Sequence, residues 1–295
     1  MLNIPDNVLV SHIFPFLDRS SWANISMTSK ALGELCQDMS HKAPWPEACI
    51  QIGGSLIHSL AFSRDGITLA CGADNGLVRL WNRSDGALKV LAGHWDLVTM
   101  VLYSPQDTVL ASGSMDCTIT LWQTDNVYKC PRLLEGHKEG IQVLAFHSDG
   151  KTLASGSRDA TIRLWNVSEG TCTTTLEGRH GGCIRSLAFC SDDKTLFSSS
   201  KDRSVCLWNV SDSSSTILER RPECVRNLLL SENGRYLACE SGFCDIILRE
   251  VLQNKCTLEL KGDGQPDRIT SVAFSPDCQR LASAGSWDMA MSLEH

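Results

Sequence analysis

The chain has 295 residues, 42% of them apolar, with 34 acidic side chains against 27 basic ones and a formal net charge of −7. That length accommodates one large repeat domain with a small one beside it, and the acidic balance argues against direct nucleic-acid binding, which needs excess Lys and Arg to neutralise phosphates. No apolar run approaches the roughly 20 residues that cross a bilayer, and the opening MLNIPDNVLVSH lacks the charged and apolar regions of a signal peptide.

Residues 3–36 read as short helices. Val8, Leu9, Ile13, Phe16 and Leu17 form a helical apolar stripe, Pro5 suits a helix start, and Asp18 with Ser20 and Ser21 makes a break and a new cap. Trp22, Ile25 and Met27, then Leu32 and Leu35, predict two further short helices. So short a segment can hardly bury a core of its own, so its exposed stripes imply a partner. The pattern resembles the F-box: Ile4-Pro5-Asp6 stands at its Leu-Pro opening, Ile13-Phe14 at its aliphatic pair, Phe16-Leu17-Asp18 at its turn and Thr28-Ser29-Lys30 at its Val-Ser-Lys close, with Pro15 as a departure. The resemblance implies docking on the adaptor subunit of a cullin-RING (SCF) ubiquitin ligase through Ile4, Pro5, Leu9, Ile13, Phe14 and Leu17, with Trp22 and Ile25 behind them. The alternative is a helical cap packed on the domain that follows. The expected boundaries are residues 1–40 for the helical domain, 41–46 for a linker stiffened by Pro44 and Pro46, and 47–295 for the rest.

From residue 47 onward the sequence repeats. Apolar runs close on Trp81, Trp122, Trp165 and Trp208, at steps of 41, 43 and 43 residues, and the frame continues to Arg249 and Glu294. Each unit opens on an alternating run such as Ile57-His-Ser-Leu-Ala-Phe or Ile141-Gln-Val-Leu-Ala-Phe, turns at Ser, Asp and Gly, passes through Leu-Ala-Ser-Gly-Ser or a relative, and turns again into the Trp run. Period-2 alternation bounded by turn residues is strand chemistry, and four short strands in 40–45 residues make a propeller blade.

Fixed polar positions accompany the repeat. His94, Ser112, Asp116 and Trp122 stand 28, 10, 6 and 0 residues before the end of their unit; His137, Ser155, Asp159 and Trp165 keep these offsets, as do His180, Ser198, Asp202 and Trp208. Together with Gly93-His94 and Gly136-His137 this resembles the WD40 family, whose His, Ser, Asp and Trp form a hydrogen-bonded tetrad inside each blade. Three copies at one spacing, with no Gly-x-Ser-x-Gly elbow, argue against a hydrolase triad. The expectation is an all-β WD40 propeller of about six recognisable blades, a shortened member of a seven-bladed type being the alternative. Unit one departs at Gly53 and Asn75, and unit five at Arg221, Phe243 and Arg249. Unit six keeps Asp288 but stops near its Trp position, so 48–52 is expected to supply its outer strand and close the ring. The 14 cysteines fall mostly in strands, without zinc-ligand spacing, and read as reduced thiols of a cytoplasmic or nuclear protein.

The residue before the tetrad Asp is Met115, Arg158 or Lys201, with Trp287 in unit six. The fifth residue after the tetrad His is Thr99, Gln142, Arg185 or, in unit five, Arg226; His58 and Thr270 match it in units one and six. Arg158, Arg185, Lys201 and Arg226 are therefore expected on one rim, where guanidinium forks suit phosphate. F-box/WD40 receptors that read phosphorylated degrons look similar at these positions. The expected function is the substrate-recognition subunit of an SCF-type ligase, with the propeller face on a protein or phosphopeptide substrate. The alternative is a WD40 interaction scaffold unrelated to ubiquitin. No catalytic residue, cofactor, metal or membrane contact is expected.

Overall fold

The computed structural model describes residues 55–285, apart from 125–130, 191, 193, 232, 242–244, 252–254, 261–268, 276 and 279–280. The positions expected to dock an adaptor, Ile4 to Ile25, the expected linker 41–46, the expected strand 48–52, and Phe243, Trp287 and Asp288 lie outside the described residues.

Every described element is a strand. Four consecutive strands form each of five sheets: β1 to β4 (Ile57–Phe62, Thr68–Ala73, Leu77–Asn82, Leu88–Ala92), β5 to β8 (Val98–Tyr103, Val109–Ser114, Ile119–Gln123, Arg132–Leu134), and β9 to β12 (Ile141–Phe146, Thr152–Ser157, Ile162–Asn166, Thr171–Leu176) come first. They are followed by β13 to β16 (Ile184–Phe189, Thr195–Ser200, Ser204–Asn209, Ser215–Arg220) and β17 to β20 (Val225–Leu230, Tyr236–Ser241, Asp245–Glu250, Lys255–Leu260). A sixth, two-stranded sheet pairs β21 (Ile269–Phe274) with β22 (Leu281–Gly285). All pairings are antiparallel between neighbours in sequence, and the first strands of the first five sheets pack one against the next. This is a propeller-like array of blades.

The hydrophobic core sits between blades. Leu80 and Val78 of the first sheet meet Val101, Leu110 and Trp122 of the second. Ile119 and Leu121 of the second meet Ile141, Leu153 and Trp165 of the third, and the third meets the fourth through Ile162, Leu164, Ile184 and Trp208. Ile246 and Leu248 of the fifth meet Leu281 of the sixth, so this seam continues there. Each blade thus buries its alternate residues against its neighbours, the way two stacked sheets share a core.

The hairpins between third and fourth strands are fixed locally. The side-chain carbonyls of Asn82, Asn166 and Asn209 each accept the backbone N–H two residues on, from Ser84, Ser168 and Ser211, at 2.8, 3.0 and 2.9 Å. The recurrent Asn-x-Ser is thus a turn device.

Blade five keeps the register without the tetrad. Arg249 lies opposite Leu237 just as Trp165 lies opposite Leu153, and Cys239 takes the place of Ser155. Arg249 reaches back to Glu219 of β16 at 2.8 Å, and Arg221, at the His position, pairs with Glu259 of β20 at 2.9 Å. Two Arg–Glu pairs stand where blades two to four carry the His and Trp of the tetrad.

Candidate protein-interaction face

The tetrad residues meet as a relay. In blade two the Trp122 indole N–H donates to Ser112 Oγ at 3.0 Å, Ser112 lies 2.8 Å from His94 Nε2, and His94 Nδ1 lies 2.9 Å from Asp116 Oδ2. Blade three repeats it through Trp165, Ser155, His137 and Asp159 at 2.8, 2.7 and 2.9 Å. Indole N–H can only donate and an ionised carboxylate only accept. The two ends of the relay are therefore fixed, a donor at Trp and an acceptor at Asp, and the histidine between them faces the serine hydroxyl through Nε2 and the carboxylate through Nδ1. Burial is the largest influence on the Asp159 carboxyl and pushes its pKa up; His137, Thr161 and the Lys138 N–H together outweigh it and hold the carboxyl well below the usual range.

Blade four differs. His180 Nδ1 lies 3.6 Å from Asp202, and the Ser204 hydroxyl bridges them, 2.8 Å from His180 and 2.6 Å from Asp202 Oδ1. Trp208 and Ser198 hold their places at 2.7 and 2.6 Å. Thr118 and Thr161 occupy the Ser204 position and donate to Asp116 and Asp159 at 2.6 and 2.7 Å. Sequence reasoning omitted this fifth member, although its signal, Asp-x-Thr/Ser, recurs in the three best units.

Each tetrad Asp also anchors the loops at its end of the blade. Its Oδ2 accepts the N–H of the residue after the tetrad His: Trp95 at 3.2 Å, Lys138 at 2.9 Å and Gly181 at 2.6 Å. Its Oδ1 accepts the N–H two residues on, closing a tight turn whose middle residue, Cys117, Ala160 or Arg203, has a positive φ of 73°, 67° or 72°. The pre-Asp residues are tied to the entry loops as well, with Met115, Arg158 and Lys201 N–H donating to the carbonyls of Leu97, Gly140 and Cys183.

A continuous rim results. Arg185 Nη1 donates to Gln142 Oε1 at 3.5 Å, and Gln142 Nε2 lies 3.2 Å from Met115 Sδ, linking blades four, three and two. Burial pushes the Cys183 thiol pKa up, while Arg185, Arg158 and Lys201 all pull it down, so these three cations share its surroundings. All three are exposed. Arg226 is half-buried on β17 and takes no part in these contacts; His58 is exposed on β1, and Thr99 donates to Gly113 O. One exposed aromatic was missed: Trp95, which is 81% exposed beside His94. Its signal was a Trp where the other units carry Lys138 and Gly181.

Among the described residues no group of three or more His, Cys, Asp or Glu side chains could hold a metal ion. The face offers cations, carboxylates and an indole on rigid loops, which is binding chemistry.

Comparisons with known proteins agree with this geometry. The family model "WD domain, G-beta repeat" matches residues 48–82, 86–123, 128–166, 170–209 and 254–293. The WD repeat-containing protein SL1-17 of Schistosoma mansoni is 38% identical over 76 residues, 26% of this chain and 25% of that protein. The U4/U6 small nuclear ribonucleoprotein PRP4-like protein of Arabidopsis thaliana is 40% identical over 67 residues, 22% of this chain and 12% of that one. Apoptotic protease-activating factor 1 of Rattus norvegicus is 40% identical over 83 residues, 25% and 7% of the two chains. The matched parts are a quarter or less of each relative's length. A chain in a crystal structure of the mitotic checkpoint complex superposes with a TM-score of 0.68 at 23% identity, over 78% of this chain and 72% of that one, a likeness of fold. WD40 propellers are generally non-enzymatic interaction scaffolds. With its repeats matched over most of its length, and with the blades and relays those repeats build, this chain belongs to the WD40 (WD domain, G-beta repeat) family.

Proposed function

We propose that this WD40 scaffold is a non-catalytic receptor that holds a phosphorylated protein segment on the loop face of blades three and four. The observation that carries the reading is the grouping of Arg158, Arg185 and Lys201 around Cys183 on a protein whose net charge is −7. Phosphate on such a site gains charge-assisted, bidentate hydrogen bonds from side chains whose loops are already fixed. Arg226, one blade further on, extends the rim rather than joining the cluster.

At the level of assembly, the F-box-like pattern of residues 3–36 supports a substrate receptor of an SCF-type ligase. It would act by raising the effective concentration of substrate lysines near the ligase. The other reading keeps the same face on a scaffold outside the ubiquitin pathway. One experiment with two arms tests both: the full chain is challenged with a phosphopeptide pool against its unphosphorylated twin, and with the purified SCF adaptor. Arg185→Ala is expected to weaken retention of the phosphorylated pool by about tenfold, more at low salt, and to leave adaptor capture intact. Pro5→Ala with Leu9→Ala is expected to abolish adaptor capture and leave the peptide arm intact. Equal retention of the two pools refutes the phosphate site; undiminished adaptor capture by the double variant refutes the F-box.

A further inference from the structure

We propose that Trp95, with Asp96 and Glu139, forms a second subsite on the same face that takes a lysine or arginine side chain of the bound segment; this rests on the receptor reading above. The first ground is that the fold does not require the indole. The position after the tetrad His serves the blade through its backbone N–H alone, and Lys138 and Gly181 meet the same need in blades three and four. Trp95 is nevertheless 81% exposed, on a loop locked to Asp116. A rigid exposed tryptophan is the side chain most enriched among the residues that dominate protein interfaces.

The second ground is charge. Asp96 follows Trp95 in the chain, and Glu139 holds the corresponding place in the next blade; both are exposed. Burial is the largest influence raising the Cys117 thiol pKa, and Asp116, Asp159, Glu139 and Asp96 all push it the same way, so this sector of the rim carries a negative field. Lys138, beside Glu139, offsets part of it. The negative sector gives way to the cationic one within two blades, since Gln142 touches both Met115 of blade two and Arg185 of blade four. An exposed aromatic face in a sector of negative field attracts a cation both through the ring quadrupole and through the field. A phosphate would be repelled there and an uncharged chain would gain only apolar contact. The preferred ligand is therefore a charge-bipolar segment, with its phosphate over blades three and four and its lysine or arginine against Trp95.

The test uses the full chain and two degenerate peptide pools that differ only in a fixed central phosphoserine or serine; the retained peptides are sequenced. Wild type is expected to enrich Lys and Arg about threefold at a fixed offset on one side of the phosphoserine. Trp95→Ala, and separately Asp96→Asn with Glu139→Gln, should flatten that enrichment while the phosphoserine pool is still retained. Arg185→Ala should lose the preference for the phosphoserine pool. Flat Lys and Arg frequencies in wild type, or an enrichment that survives Trp95→Ala, overturn the proposal. If the two pools are retained equally, the phosphate reading fails alone; the serine pool then decides the Trp95 subsite by the same enrichment and its loss in Trp95→Ala. Retention of neither pool overturns both.

Discussion

At the residue scale the tetrads illustrate how buried polarity is made cheap. Ser112, Ser155 and Ser198 are fully buried, and each hydroxyl both accepts from an indole and faces a histidine nitrogen, so the groups satisfy one another rather than water. The protonation pattern has a consequence for stability. Burial, partly opposed by Asp202, lowers the His180 pKa below its ordinary 6.5. The folded protein therefore binds fewer protons at His180 than the unfolded chain, and the stability this confers is complete above about pH 6.5 and lost as the pH falls below it. Asp116, Asp159 and Asp202 are held below 3.8 by hydrogen bonds that outweigh the effect of burial, so a second loss sets in below about pH 4. The urea midpoint of the full chain should accordingly be level from about pH 8 to 7, decline between about 6.5 and 5, and decline again below 4. His180→Gln should remove the first decline and keep the second. A level midpoint from pH 7 to 5 in the native protein would contradict the neutral assignment of His180.

At the element scale, the first strands were legible to the residue. The alternating runs starting at Ile57, Ile141, Ile184 and Ile269 coincide with β1, β9, β13 and β21, because one face of each packs on two neighbours and tolerates few residue types. The fourth strands were not: Leu88–Ala92, Thr171–Leu176 and Ser215–Arg220 share no pattern, since an outer strand turns much of its surface to solvent and its sequence is free to drift. Blade five marks the boundary between the two cases. It has lost His, Asp and Trp and forms its sheet all the same, on apolar alternation and register. Its Arg249–Glu219 pair, with side chains 11% and 13% exposed, was hidden from the sequence because the partners lie in different blades. Removing one member leaves a largely desolvated charge, so Arg249→Ala should cost about 3 kcal/mol in equilibrium unfolding. Arg249→Met with Glu219→Leu should recover most of it. A single variant indistinguishable from wild type would show the pair to be incidental.

At the scale of the whole molecule, the seams between blades decide what a sequence period can vary. The next-to-last residue of β2, β6, β10, β14 and β18 occupies one register position, and it holds Gly72, Gly113, Gly156, Ser199 and Glu240 in turn, against Val78, Ile119, Ile162, Val205 and Ile246. The period showed that these positions correspond. It did not show why the first three are glycine, since the reason lies in the next blade. A Cβ on Gly72 would stand 2.7 Å from Val98 Cγ1, one on Gly113 would stand 2.8 Å from Ile141 Cγ2, and one on Gly156 would stand 2.5 Å from Ile184 Cγ2. These contacts are with branched side chains buried at the start of the following blade's first strand, which cannot swing away. Blade five admits Glu240 there, 3% exposed, with Asn227 donating to its carboxylate at 2.6 Å. Gly156→Ala must therefore push blade four away from blade three, at a cost of about 1–3 kcal/mol despite a better strand former. Ile184→Val does not remove the clashing branch, whereas Ile184→Ala removes it and relieves the clash in part, leaving the contacts with Val143 Cγ1 at 2.8 Å and with the Cβ of residue 184 at 2.9 Å. The double change Gly156→Ala with Ile184→Ala should thus be less destabilised than the two single changes summed, as thermal melts of the four proteins would record. Strict additivity would mean that the blades yield at this seam.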